Sequence, residues 1–300
     1  HMNGGSNPST NSSGRNVEQS SLMLSGATKN YANFLGWYAS QDEADQAKAR
    51  ALENKELVAP ITELNADTLT KYAELDRNQY VVDLYAAWKP FTYTVTYHSN
   101  ATESVGWTGE DGKVLTGEDG KVLTSKVVTY EVGTNRCYEK APTYPGYTQT
   151  NWNTRIDGKG SNYRVGSRFS NLTVTDGEEI DLYAIWNRNN YSIHYNNNGG
   201  RLSTSNVSSY NADSENFILN KPTRENYTFK GWAVTDSHWN YDAEHPTILN
   251  KINFEELKAK NRLGNLYLKA IFEAHTYDVT YKADNFVSAN TNTASALVRN

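Results

Sequence analysis

Five histidines follow His1 in this chain: His98, His194, His238, His245 and His275. Imidazole at neutral pH can ligate a metal or move a proton, so their spacing is the first test for chemistry. None sits with a glutamate in the His-Glu-x-x-His pattern that places two ligands and a base on one helix face. His238 and His245 fall close to Asp236, Asp242 and Glu244. That is the nearest approach to a metal cluster, and its composition reads as a solvated polar loop. The serines lie in loop-like sequence, none in the Gly-x-Ser-x-Gly elbow of a hydrolase. No glycine-rich phosphate loop follows a strand. Cys137 is the only cysteine, which removes intrachain disulfides and thiolate metal sites. The expectation is a non-enzymatic chain without cofactor or metal.

Aromatic side chains offer a different chemistry. Trp107, Tyr144, Tyr210, Trp239 and Tyr241 fall in insertions or loops, outside any repeated position. Flat rings at a surface can stack on sugar faces or anchor a protein partner. Trp239-Asn240-Tyr241-Asp242 is the first candidate patch, with Trp107 and Tyr144 beside it as speculative binding residues; rings tucked over their own core are the competing reading. A net charge of −5 and a pI near 5.7 argue against a nucleic-acid or anionic-lipid partner. No apolar run is long enough to cross a bilayer, and no signal peptide is evident.

The elements that must position these rings recur along the chain. Twenty-one tyrosines in β-type context predict sheets. KAPTYPGYTQTNW at 140–152 returns as NKPTRENYTFKGW at 220–232, and Phe34-Leu35-Gly36-Trp37 is a reduced copy. Pro142/Pro222, Tyr147/Tyr227 and Trp152/Trp232 keep one constant offset. A segment returning at domain-sized spacing marks an array. Strictly alternating strands open at Tyr93, Tyr191 and Tyr277, and strands ending in Trp88, Trp186 and Phe272 close three units. Helices are predicted in the charged stretch 41–57, after Asp67, and over 254–260, where Asn253 and Glu256 form a capping box. The octapeptide TGEDGKVL, repeated at 108–115 and 116–123, predicts a hairpin extension turning through Asp-Gly in type I′ geometry.

The order of motifs resembles the Listeria–Bacteroides repeat of internalin B-repeat regions. The third unit carries YSIHYNNNGG, KPTRENYTFKGW and LYLKAIF; the second carries YTVTYHSN, APTYPGYTQTNW and DLYAIW; the first carries NFLGWY and DLYAAW. Asn151 and Gln149 depart from the pattern. The resemblance implies an α+β fold of tandem β-grasp-like units, each a small mixed sheet with one packed helix. Gly36, Trp37, Trp88, Trp152, Trp186, Gly231, Trp232 and Phe272 form the structural core. The units then run 20–90, 91–188 with a hairpin insertion, and 189–275. Residues 1–19 read as a flexible linker with a cloning scar, and 276–300 as the truncated start of a fourth unit. The resemblance also implies a secreted, cell-surface bacterial protein. The function expected is adhesion or ligand binding, to a host-surface protein or glycan, by a chain monomeric as a fragment. A structural spacer and a carbohydrate-binding accessory region of a surface enzyme are the alternatives.

Overall fold

A computed structural model describes residues 1–11, 14, 18–281 and 294–295. Strands and bridges hold 38% of the described residues and helices 9%. The expected α+β array with one helix per unit is therefore wrong; the architecture is mostly β. The described residues contain three helices: Gln41–Leu52 and Ala66–Tyr72 in the first repeat, Phe254–Ala259 in the third, and none in the second. The reason lies in residues 154–178. They occupy the place of the helices but consist mainly of Gly, Asn, Ser, Thr and charged residues without a 3.6-residue apolar period. They form turns and the short strands Asn162–Arg164 and Arg168–Phe169 instead.

The chain forms two compact units, one of His1–Pro142 with Thr150–Ile185, the other of Thr143–Gln149 with Trp186–Asn300. The second and third repeats each have a five-stranded sheet of one plan. In the second repeat the order is Asn162–Arg164, Tyr147–Asn153, Glu179–Arg188, Thr92–His98 and Ser125–Glu131. In the third it is Ser209–Tyr210, Tyr191–Asn196, Leu266–Ala274, Tyr227–Thr235 and Ile248–Leu249. The opening strand lies parallel beside the closing strand, pairing Thr94–His98 with Glu179–Tyr183 and Ile193–Asn196 with Leu266–Lys269. Of this plan, the described residues of the first repeat keep the central strand Ala32–Tyr38 and the closing strand Tyr85–Pro90, paired antiparallel.

Three contacts recur in every repeat and explain the repeated residues. The first is an indole donating to a carbonyl: Trp37 Nε1 to Ser25 O at 3.1 Å, Trp152 to Glu139 O at 2.8 Å and Trp232 to Asn220 O at 3.1 Å. Each tryptophan is buried in the core yet leaves no stranded donor. The second is an asparagine clamp. Asn3, Asn100 and Asn198 all take positive φ and donate Nδ2 to the carbonyls of Ala86, Ala184 and Ala270 at 2.8, 2.9 and 3.0 Å. The third is the alternating closing strand, whose Ala86, Ala184 and Ala270 point into the core.

In the first and third repeats a bulge interrupts the central strand, between Phe34 and Gly36 and between Phe229 and Gly231. Gly36 and Gly231 sit at φ +142° and +145°, where an added Cβ would meet Pro60 Cβ at 2.3 Å or Ile248 Cγ2 at 2.4 Å. Asn151 occupies this place in the second repeat without positive φ.

Residues 1–11 depart from the expected flexible lead. Asn3-Gly4, both at positive φ, turn the chain so that Gly5 N–H donates to Met2 O, as Asn198-Gly199 do for Gly200 and Asn197. Ser6 pairs with Thr28 as Arg201 pairs with Thr223. Gly5 lies against Trp88 and Gly200 against Phe272, each too closely for a side chain. Residues 12–13 and 15–17 of that lead lie outside the described residues.

The first helix ends at Leu52 and lays Ala44 and Ala47 against Tyr38 and Ala87. Asn65, not Asp67, caps the second, in a reciprocal box with Thr68. Asn253 caps the third by accepting from the Glu256 N–H, but the expected box is only half formed, because the Glu256 carboxylate pairs with Lys251 Nζ at 2.6 Å. The duplicated octapeptide turns differently from the type I′ expectation. Gly112 and Gly120 have positive φ but Asp111 and Asp119 do not, so each turn has a single left-handed residue. Of the expected fourth unit, Asp278–Val279 pairs antiparallel with Ala294–Ser295. Residues 282–293 and 296–300 lie outside the described residues. No described helix is long and apolar enough to cross a membrane.

Candidate functional site

The five loop aromatics separate into two groups. Trp107 is only 7% exposed and Tyr210 only 2%, so neither is a surface platform. The duplication closes a ring of backbone hydrogen bonds beside Trp107. Leu115 N donates to Trp107 O, Leu123 N to Leu115 O, and Trp107 N to Leu123 O. Lys126 Nζ lies 5.5 Å from the indole centre. Tyr210 packs at 5.2 Å on Tyr191 and donates its hydroxyl to Gly264 O. Tyr144 is half-buried, stacked on Tyr147 at 4.2 Å and edge-on to Trp186 at 5.4 Å.

Trp239 and Tyr241 are half-buried and belong to a row of rings on the outer face of the third repeat. His194 on the opening strand stacks on Tyr267 of the closing strand at 4.7 Å and 15°. Trp239 meets the same Tyr267 edge-on at 5.8 Å. Two residues on, Lys269 Nζ lies 5.8 Å from the Tyr241 ring centre. Residues 267 and 269 share this face because side chains alternate, Leu266, Leu268 and Ala270 being core. The stacking that anchors the row also occurs as His98 on Tyr183 at 4.5 Å and His1 on Tyr85 at 4.2 Å. In the third repeat the Trp239 indole joins this stack.

The loop that presents Trp239 is built by Asp236. Its carboxylate accepts from the backbone N–H of His238 and Asn240 and from Asn240 Nδ2. Those contacts, Asn240 first, hold the carboxyl below the usual aspartate range. Trp239 itself takes φ +67°, a conformation a bulky residue keeps only when its neighbours impose it. Asp242 similarly accepts from the backbone of Glu244 and His245. These carboxylates shape the loop. Among the described residues, no group of three or more His, Cys, Asp or Glu is placed to hold a metal ion, and Cys137 is exposed and free.

His194, Tyr267 and Lys269 escape a reading of the sequence that sets strand residues aside as scaffold. Their alternation with core residues in LYLKAIF is the signal that marks an outward-facing set.

Residues 1–59 and 191–254 match the model of the Listeria–Bacteroides repeat domain. The first match includes the Asn3-Gly4-Gly5 turn and the second includes Asn198-Gly199-Gly200. A protein of Evansella cellulosilytica described as a Gly-rich membrane protein is 29% identical over 203 residues, which is 67% of this chain and 19% of that protein. A second protein of the same organism, described as a membrane protein, is 22% identical over 261 residues, 85% of this chain and 29% of that protein. The chain thus spans less than a third of either relative.

Proposed function

We propose that this chain is a non-catalytic repeat region of a bacterial cell-surface protein, and that its third repeat binds a ligand through the His194–Tyr267–Trp239 row. The observation that carries the reading is this row, flanked by Lys269 and Tyr241. Edge-to-face and stacked rings hold each other at fixed angles, which lowers the entropy lost when a flat ligand settles on them. A cation beside the rings suits a polar or acidic partner. A sugar face or an extended polypeptide fits this chemistry. Placement at the surface draws on the repeat family and on the two membrane-protein relatives.

Binding of the full chain to a panel of glycans, mucin and matrix proteins, with Trp239→Ala alongside, tests it. A specific interaction weakened about tenfold or more in the variant, in line with loss of one aromatic anchor, is the expected result. Silence across the panel counts against it and favours a structural spacer. That second reading draws on Trp107 and Tyr210, loop aromatics committed to packing.

A further inference from the structure

Of the edges of the two five-stranded sheets, three are short: Asn162–Arg164, Ser209–Tyr210 and Ile248–Leu249. The fourth, Ser125–Glu131, is a full strand from the middle of the sequence. It pairs with Thr92–His98 without a bulge, from Thr92 with Glu131 to His98 with Ser125. Among the described residues no strand lies on its far side. Antiparallel hydrogen bonding alternates, so each residue turns both of its backbone groups the same way. Val132 N donates to Phe91 O at 2.9 Å and Ser99 N to Thr124 O at 2.8 Å. These contacts fix the even-numbered residues as the ones bonded to the opening strand. Ser125, Val127, Thr129 and Glu131 therefore turn their N–H and C=O groups to the open edge. Among the described residues only the Glu131 carbonyl finds a partner there, in Thr134.

Solitary edges are ordinarily guarded by a proline, a bulge or a lysine held out over the open backbone. Ser125–Glu131 contains no proline and its register does not shift. Its one lysine is drawn aside: Lys126 Nζ lies 2.8 Å from Glu139 Oε2 and beside the Trp107 ring. The position a guarding charge would take, on the sheet face away from the core, is Val127, which is 63% exposed. The edge is closed only beyond its ends, where Leu123 O accepts from Trp107 N and Glu131 O from Thr134 N. What lies between is an open stretch of defined length.

We infer that Ser125–Glu131 pairs antiparallel with the same strand of a second copy of this chain, Val128 lying opposite Val128 on a twofold axis. In this register the strand is its own complement. Val127 exchanges both backbone bonds with Thr129 of the other copy, and the Glu131 N–H meets Ser125 O. Opposed residues share a sheet face, so the two sheets join with their cores on the same side. Val127 against Thr129 is a β-branched cross-strand pair. Charge selects the direction. Lys126 and Glu131 mark opposite ends of the strand, so an antiparallel pair adjoins unlike charges where a parallel pair in register adjoins like ones. Each charge is already tethered within its own copy, Lys126 to Glu139 and Glu131 to Lys48 at 3.5 Å, which holds both ends in place. The contact uses one patch on both copies and closes at the dimer, against the sequence-based expectation of a monomer.

Single-cysteine chains in a Cys137→Ser background test the register. Val128→Cys is expected to give a covalent homodimer under mild oxidation, because opposed residues at a non-hydrogen-bonded site lie about 4.5 Å apart, within disulfide reach. Thr129→Cys, whose counterpart in the other copy lies beyond that reach, is expected to give several-fold less. By sedimentation the unaltered chain is expected to gain mass with concentration and to stop at the dimer. Thr129→Pro removes an N–H that the chain itself leaves unused, at an edge position where proline is tolerated. It is expected to stay monomeric with an unchanged near-ultraviolet circular dichroism spectrum. Val127→Lys, which puts a charge on the edge without touching the core, gives the same reading should the proline disturb the fold. A monomeric unaltered chain at every concentration overturns the inference, since the edge would then be left for an extended segment of another protein. Dimerisation by Val127→Lys equal to that of the unaltered chain, or equal crosslinking through residues 128 and 129, overturns it as well.

Discussion

Asn198 is a small residue with two jobs. Its positive φ turns the chain after the opening strand, and its amide ties that turn to Ala270 of the closing strand. Substitutions can separate the two. Asn198→Gly keeps the left-handed turn and loses the hydrogen bond, an expected cost of about 1 kcal/mol. Asn198→Ala loses both, adding about 1–2 kcal/mol for an L side chain held at positive φ. Denaturant titration of both variants checks the order. If alanine were no worse than glycine, the backbone role assigned to Asn198 would fail.

Loop and hairpin elements show how short polar segments control aromatic exposure. The Asp236 loop holds Trp239 over Tyr267 by hydrogen bonds to an ionised carboxylate. Its folded pKa lies below the ordinary aspartate value, so the stabilisation is full above about pH 4, the unfolded range, and is lost as pH falls through the lower folded value. Trp239 fluorescence, isolated by comparison with Trp239→Phe, is expected to hold at pH 5 and to shift only in stronger acid. A shift between pH 5 and 7 would contradict this sign. In the second repeat, deleting residues 116–123 removes the Leu123 side of the hydrogen-bond ring beside Trp107. Val122 and Leu123, which lie against Gly106, leave with it. Red-shifted emission and faster quenching, absent in a Trp107→Phe control, are the expected result. Unchanged spectra would mean that one octapeptide suffices to bury the indole.

Across the whole molecule, the repeats share contacts but not depth of core. The third repeat surrounds Trp232 with Ile193, Leu219, Ile252, Leu257, Leu266 and Leu268, whereas the clusters of the first repeat are small and alanine-rich. Burial of large aliphatic groups contributes roughly 1.5–3 kcal/mol each, so local stability should follow core size. Hydrogen exchange is expected to be slower in Tyr227–Thr235 and Leu266–Ala274 than in Ala32–Tyr38 and Tyr85–Pro90. The reverse order would show that the small alanine-rich clusters of the first repeat hold their strands as firmly as the larger core.

The sequence by itself determined what repeats: the alternating opening strands, the tryptophan-bearing central strands and the closing strands are local patterns, legible because side-chain periodicity is a local property. Capping at Asn253 was legible for the same reason. Tertiary structure alone decided which repeated positions had a helix beside them, since residues 154–178 fill that place without helical periodicity. It also decided that Asn3-Gly4-Gly5 is a docked turn, because a serine- and asparagine-rich segment looks unstructured until a distant carbonyl at Ala86 fixes it. Exposure of the loop aromatics followed the same division. Trp107, Tyr210 and Trp239 are equally apolar in the sequence; the ring of hydrogen bonds at Leu115 and Leu123, the carbonyl of Gly264 and the outer strand position of Tyr267 set their different fates. Those are long-range contacts, and burial is a property of what the rest of the chain brings near.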